Sequence, residues 1–117
     1  MKRLKLDDIS NAPALPTKEI EIPEWDATVI VTGLTKADTV EINELSETDS
    51  VRDEVLFEKY LLLKGLKDPE FVSLEQVEEF YSKATPSIVD KILIGIYRCM
   101  AWTKEDQANI ADQFPEQ

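Results

Sequence analysis

One segment, residues 86–102, constrains the fold most, because apolar side chains cover most of the circumference of the helix that it would form. Its apolar members are Ile88, Val89, Ile92, Leu93, Ile94, Ile96, Tyr97 and Met100. Thr85 and Pro86 supply an N-cap followed by proline at the first helical position, which favours a helix beginning there. Gly95 costs about 1 kcal/mol of helix propensity relative to alanine, so we expect a close helix crossing at that position. The segment therefore predicts a central helix that other elements cover on several sides.

The N-terminal third has a different period. Within residues 18–22, Glu19 and Glu21 alternate with two isoleucines, which places Ile20 and Ile22 on one face of a half-buried strand. Residues 27–32 are rich in β-branched side chains and suit a second strand. Pro23 and the residues around Trp25 interrupt the two runs, so the sequence predicts a β-hairpin with its loop near Trp25.

After Gly33 the remaining segments are predicted to be helical, because hydroxyl residues precede an acid or amide by three positions at several helix starts. The pairs are Thr35 with Asp38, Ser50 with Asp53, Ser73 with Gln76 and Thr103 with Asp106. Predicted helices cover 36–46, 51–64, 74–83, 86–102 and 104–113, with Gly65 ending the second. Residues 39–42 also alternate as a strand would, so a third strand within 36–46 stays open.

These elements predict an α+β fold in which an N-terminal β-hairpin, with a third short strand as an alternative, packs against a bundle of four to five α-helices. Pro13 and Pro16 interrupt regular structure near the start, so residues 1–16 are predicted to be a flexible N-terminal arm. Residues 17–114 then form a single α+β domain, and 115–117 a C-terminal tail.

Charge and composition exclude several classes of function. The 117 residues contain 13 Lys and Arg against 24 Asp and Glu, a net charge of −11, so nucleic acid and membrane surfaces are poor partners. The chain has no histidine, and its one cysteine, Cys99, lies among apolar residues of the central helix, where a buried thiol is the expected state. Without a recognisable catalytic or metal-binding pattern, we expect no enzyme activity and no cofactor, and the missing apolar leader predicts a cytosolic protein.

Binding is the remaining class of function, and large aromatic side chains dominate binding interfaces. The candidate partner-binding residues are Trp25, Ile20, Ile22, Val31 and Trp102. A two-stranded hairpin also has an outer edge of unpaired N–H and C=O groups, so self-association through the hairpin is expected.

The order of these features resembles the tail assembly chaperones of long-tailed, siphovirus-type bacteriophages and prophages. The likeness covers residues 4–105 and rests on Leu4-Lys5-Leu6, a proline-containing spacer, the two strands, Gly33-Leu34-Thr35 and Gly65-Leu66-Lys67-Asp68-Pro69. The resemblance implies an α+β fold and a non-enzymatic role in tail morphogenesis. It also implies binding to the tape measure protein, with the major tail protein as a further partner. The expected location is the bacterial host cytoplasm, and the protein is expected to be absent from the mature virion.

Two other functions stay open. An acidic inhibitor or regulator that mimics DNA would use the −7 charge of residues 21–50 to occupy a basic groove. A structural tail-completion or connector protein is the third alternative.

Overall fold

The computed structural model describes residues 3–100, and over that range the predicted α+β fold with an N-terminal hairpin is confirmed. β1 (Thr17–Ile22) and β2 (Ala27–Thr32) are antiparallel and are joined by a 3₁₀ turn at Pro23–Trp25. Ile20 and Ile22 are buried while the glutamates between and beside them are exposed, as the alternation predicted. Helix clearly exceeds strand in the described residues.

The sheet that contains the hairpin has a third strand, but this strand does not lie within 36–46. β5 (Leu66–Asp68) pairs with β2, with Val31 opposite Leu66, so the sheet order is β1-β2-β5. The ambiguous segment forms helix α2 (Lys36–Leu45) instead. A complete capping box decides this: Asp38 donates its N–H to Thr35 Oγ1, and Thr35 donates its N–H to the Asp38 carboxylate, both at 3.1 Å.

The other helices follow the predicted order. They are α3 (Glu54–Gly65), α4 (Leu74–Lys83) and α5 (Pro86–Met100). α4 has the predicted ends and α5 the predicted start, while the helix predicted at 51–64 is shifted. The predicted caps of α4 and α5 are confirmed, since Gln76 and Ile88 donate N–H groups to the hydroxyls of Ser73 and Thr85. The predicted helix 104–113, its Thr103 cap and the predicted C-terminal tail lie outside the described residues.

The predicted start of the second helix is wrong. Asp53, not Ser50, is its N-cap, because Leu56 donates its N–H to the Asp53 carboxylate at 3.1 Å. The residues before Asp53 form a small hairpin, in which β3 (Glu47–Thr48) pairs with β4 (Val51–Arg52). An acidic residue three positions after a hydroxyl can itself be the cap, and here the carboxylate takes that role.

At two glycines of the helices, packing leaves little room for a Cβ. Gly65 is the last residue of α3 rather than a stop after it, and a Cβ there would lie 2.8 Å from Ile96 Cγ1. A Cβ on Gly95 would lie 2.7 Å from Ile20 Cδ1 and 3.3 Å from Val31 Cγ2. The predicted close crossing at Gly95 is therefore with the sheet, and the helix-to-helix approach occurs at Gly65.

The core lies between the sheet and α3, with α5 in the centre. α5 contacts β1, β2 and α3, while α3 also contacts α2 and α4. The most completely buried large side chains include Ile22, Val31, Ile42, Leu61, Leu62, Val77, Ile88, Ile92, Leu93 and Ile96. Within residues 3–100, no helix is long and apolar enough to cross a membrane.

The predicted arm contains more structure than its prolines suggested. Residues 6–10 form the short helix α1 (Leu6–Ser10), whose entry is capped by Asp8, and none of its residues is buried. Pro16 is the point of attachment to the domain, since its carbonyl accepts the Gly33 N–H at 3.0 Å.

Candidate partner-binding site

Trp25 lies on the 3₁₀ turn of the hairpin, and its side chain is 43% exposed. Asp26 follows it in the left-handed conformation, φ 49°, and this reverses the chain into β2. The turn directs the indole toward α4, where it meets Phe80 edge to face with ring centroids 5.6 Å apart. Trp25 is thus fixed by an aromatic contact while much of its surface stays open.

Phe71 extends this contact into a cluster of three aromatic rings. Its ring centroid lies 5.8 Å from that of Phe80, and both phenylalanines are partly buried. β5 ends just before Phe71, so the third strand positions this ring beside the hairpin turn. The sequence prediction missed Phe71 and Phe80, because nothing in their spacing shows that the turn carrying Trp25 lies above α4.

The three rings form one wall of a shallow groove of about 510 Å³, which we call the aromatic groove. Its lining residues are Trp25, Pro69, Glu70, Phe71, Gln76, Glu79, Phe80 and Lys83. Two of these side chains are acidic, and Lys83 lies 3.9 Å from Glu79, so the rim has a negative balance. An apolar surface with such a rim suits an apolar segment flanked by basic residues.

The structure separates the other candidate residues from this groove. Ile22 and Val31 are buried in the core against α5, so they are not available to a partner that binds the folded domain. Ile20 is also buried and reaches the surface only where it lines a groove between β1 and α5. The error is physical: alternation identifies the apolar face of a strand but not whether a helix covers it. Trp102 lies outside the described residues.

Cys99 is buried, as predicted, and desolvation raises the pKa of its thiol, an effect that the charge of Lys18 partly opposes. A raised pKa keeps the sulfur protonated and therefore weakly nucleophilic. Among the described residues, no three His, Cys, Asp or Glu side chains are grouped so that they could hold a metal ion.

A partly buried polar contact links α3 to α4. Tyr81 Oη donates to Glu58 Oε1 at 3.0 Å. Desolvation raises the pKa of Glu58, the hydrogen bond from Tyr81 lowers it, and the charges of Asp90 and Glu54 raise it further. Burial and the same hydrogen bond raise the pKa of Tyr81.

No family model matches the chain, and neither the curated proteins nor the solved structures contain a match to it. The fold and the groove therefore define an α+β protein with an exposed aromatic cluster as its candidate binding surface.

Proposed function

We propose that the protein is a phage tail assembly chaperone that binds the tape measure protein and keeps it soluble during tail morphogenesis. The role is non-enzymatic, takes place in the bacterial host cytoplasm and ends before the mature virion, which lacks the protein. The major tail protein is a further proposed partner. The observation that carries the proposal is the aromatic groove, read together with the order of elements that resembles this family.

The groove supports binding to an amphipathic helix. Trp25 is held by Phe80 yet remains 43% exposed, the arrangement expected of an anchor that becomes covered on binding. Glu70 and Glu79 on the rim favour a helix whose apolar ridge is flanked by Lys or Arg. A long tape measure protein offers many such helical segments to several chaperone copies.

The net charge supports the second part of the role. A chaperone that covers an aggregation-prone helix must keep the coated complex in solution, and a net charge of −11 on each copy opposes aggregation of such complexes.

A DNA-mimicking inhibitor is the rival proposal from another class. Such a protein needs a face dominated by acids, whereas Lys18, Lys91 and Arg98 line one groove of this molecule together. Glu41 is also taken up in an ion pair with Lys64. A connector role in the finished tail remains the structural alternative.

Co-expression with the tape measure protein of the same phage tests the proposal. We expect wild-type protein to raise the soluble fraction of the tape measure protein severalfold, and Trp25→Ala to abolish most of that gain. Val72→Ala is the matched control, because Val72 is 77% exposed but does not line the aromatic groove.

A soluble fraction that wild-type protein leaves unchanged would contradict the proposal. Equal loss in both variants would show that the aromatic groove is not the binding surface. Detection of the protein in purified virions would favour the connector role, and tight binding to a DNA-binding enzyme would favour the mimic.

A further inference from the structure

The outer edge of β1 has no strand partner among the described residues. In an antiparallel ladder, hydrogen-bonded pairs alternate with pairs that are not hydrogen-bonded. The Gly33 N–H donates to the Pro16 carbonyl at 3.0 Å, so Pro16 and Gly33 are a hydrogen-bonded pair, and the next pair along β1 is not. Thr17, Glu19 and Glu21 therefore direct their backbone N–H and C=O groups away from β2. In agreement, Lys91 Nζ donates to the outward Glu21 carbonyl at 3.3 Å.

The edge borders a groove of about 500 Å³ between β1 and α5. Ile20, Ile94 and Gly95 supply its apolar surface, Lys18, Lys91 and Arg98 also line it, and the exposed glutamates of β1 lie at its margin. A strand added at this edge would place alternate side chains over the apolar groove and the others beside the glutamates.

A second copy of β1 is a poor occupant of this edge. Each hydrogen-bonded pair between two copies must join two outward-directed residues. Registers that pair most of the strand therefore place Glu19 or Glu21 opposite a glutamate of the other copy. A shorter register places Lys18 opposite Lys18. Like charges directly opposite one another destabilise strand pairing.

The N-terminal arm has the complementary pattern. Arg3 and Lys5 flank Leu4, all three precede α1, and Lys5 is already extended with φ −116° and ψ 163°. Leu4 is 68% exposed and Leu6 83% exposed, so the arm leaves apolar surface uncovered in the single chain. In an extended arm, Arg3 and Lys5 lie on one side and Leu4 on the other. The cations match the glutamates of the β1 edge, and Leu4 matches the apolar part of the groove.

We propose that residues 3–5 of one copy add as an antiparallel strand to the β1 edge of a second copy. Lys5 then lies opposite Glu19 and Arg3 opposite Glu21, while Leu4 lies opposite Ile20 and over the apolar groove. The Lys5 N–H must leave the Asp8 carboxylate, which it contacts at 2.9 Å, and the Arg3 N–H must share or replace the contact of Lys91 Nζ with the Glu21 carbonyl. This rearrangement costs little free energy, because α1 has only five residues and none of them is buried. The contact is between copies and does not depend on tape measure binding.

Paired charge reversals test the proposal by sedimentation or light scattering. R3E/K5E places acids opposite Glu19 and Glu21, and E19K/E21K places cations opposite the natural arm. We expect each variant alone to associate about tenfold more weakly than wild type or worse. An equimolar mixture should regain association, because both contacts between unlike copies are then complementary.

Matched controls separate this contact from net charge. K36E/K67E changes the net charge as much as the arm variant does, and E75K/E78K as much as the edge variant does, at exposed positions off the edge. Both should associate as wild type does, within a factor of about three. Thermal melts should show that all the variants fold, since every substituted side chain is exposed.

Three results would overturn the proposal. Wild-type protein that stays monomeric at millimolar concentration has no such contact, as would be found if the arm or the C-terminal residues of the same chain cover the edge. A mixture of the two variants that does not associate excludes pairing between arm and edge. Undiminished association of R3E/K5E alone would locate the contact elsewhere.

Discussion

Two apolar clusters within residues 3–100 differ in what covers them. Around α5, Ile92, Leu93 and Ile96 are sealed by the sheet on one side and by α3 on the other, with no exposed surface. In the aromatic groove, Trp25, Phe71 and Phe80 contact one another but stay open on one side. The cluster around α5 therefore stabilises the fold, and the aromatic groove is open to a partner.

The largest expected effect is in the sealed cluster. Leu93→Ala should lower the free energy of unfolding by about 2–5 kcal/mol, because the cavity left by the side chain is enclosed on every side. Denaturant unfolding measures this. Glu44→Ala, at an exposed position of α2, is the control and should change stability by no more than about 0.5 kcal/mol. A comparable effect at Glu44 would show that the acids are not simply solvated.

Gly65→Ala should have the next largest effect on the free energy of unfolding, and it should destabilise the protein although alanine has the higher helix propensity. Alanine favours the helix by about 1 kcal/mol, but its Cβ would meet the fully buried Ile96, and overpacking costs about 1–3 kcal/mol. We expect net destabilisation. The double variant Gly65→Ala with Ile96→Val should lose less stability than the two single changes added together, and strict additivity would contradict the contact.

Trp25→Ala should affect binding far more than folding. The substitution removes one edge-to-face contact, worth about 0.5–1.5 kcal/mol, from a residue that is already half open to water. Measuring both denaturant unfolding and tape measure binding of this variant checks the prediction. A stability loss as large as that of Leu93→Ala would mean that the aromatic groove is part of the core.

The smallest expected effect concerns Glu58. Its pKa is raised in the folded state, chiefly by desolvation, so its contribution to stability is present at low pH and is lost as pH rises through the folded pKa. Glu58→Gln keeps an acceptor for Tyr81 without the charge. The stability of the variant relative to wild type should therefore rise with pH between about pH 3 and pH 8. A difference that falls with pH would reverse the assigned sign.

Much of the fold could be predicted from local patterns. The alternation of residues 18–22, the caps of α2, α4 and α5, and the all-round apolar character of α5 each concern residues close together in the chain. Hydrogen bonding at a helix start and the direction of neighbouring side chains are settled within a few residues. These features therefore follow from the sequence by itself.

Only the tertiary structure decided which apolar faces are covered. Ile20 and Trp25 belong to the same hairpin, yet α5 seals the first while the turn leaves the second exposed above α4. β5 follows α3 directly, so the end of α3 places Leu66 beside β2. Ile96 of α5 packs against Gly65, which leaves little room for a Cβ there. Burial and close packing depend on partners distant in sequence, and local patterns carry no information about which partner arrives.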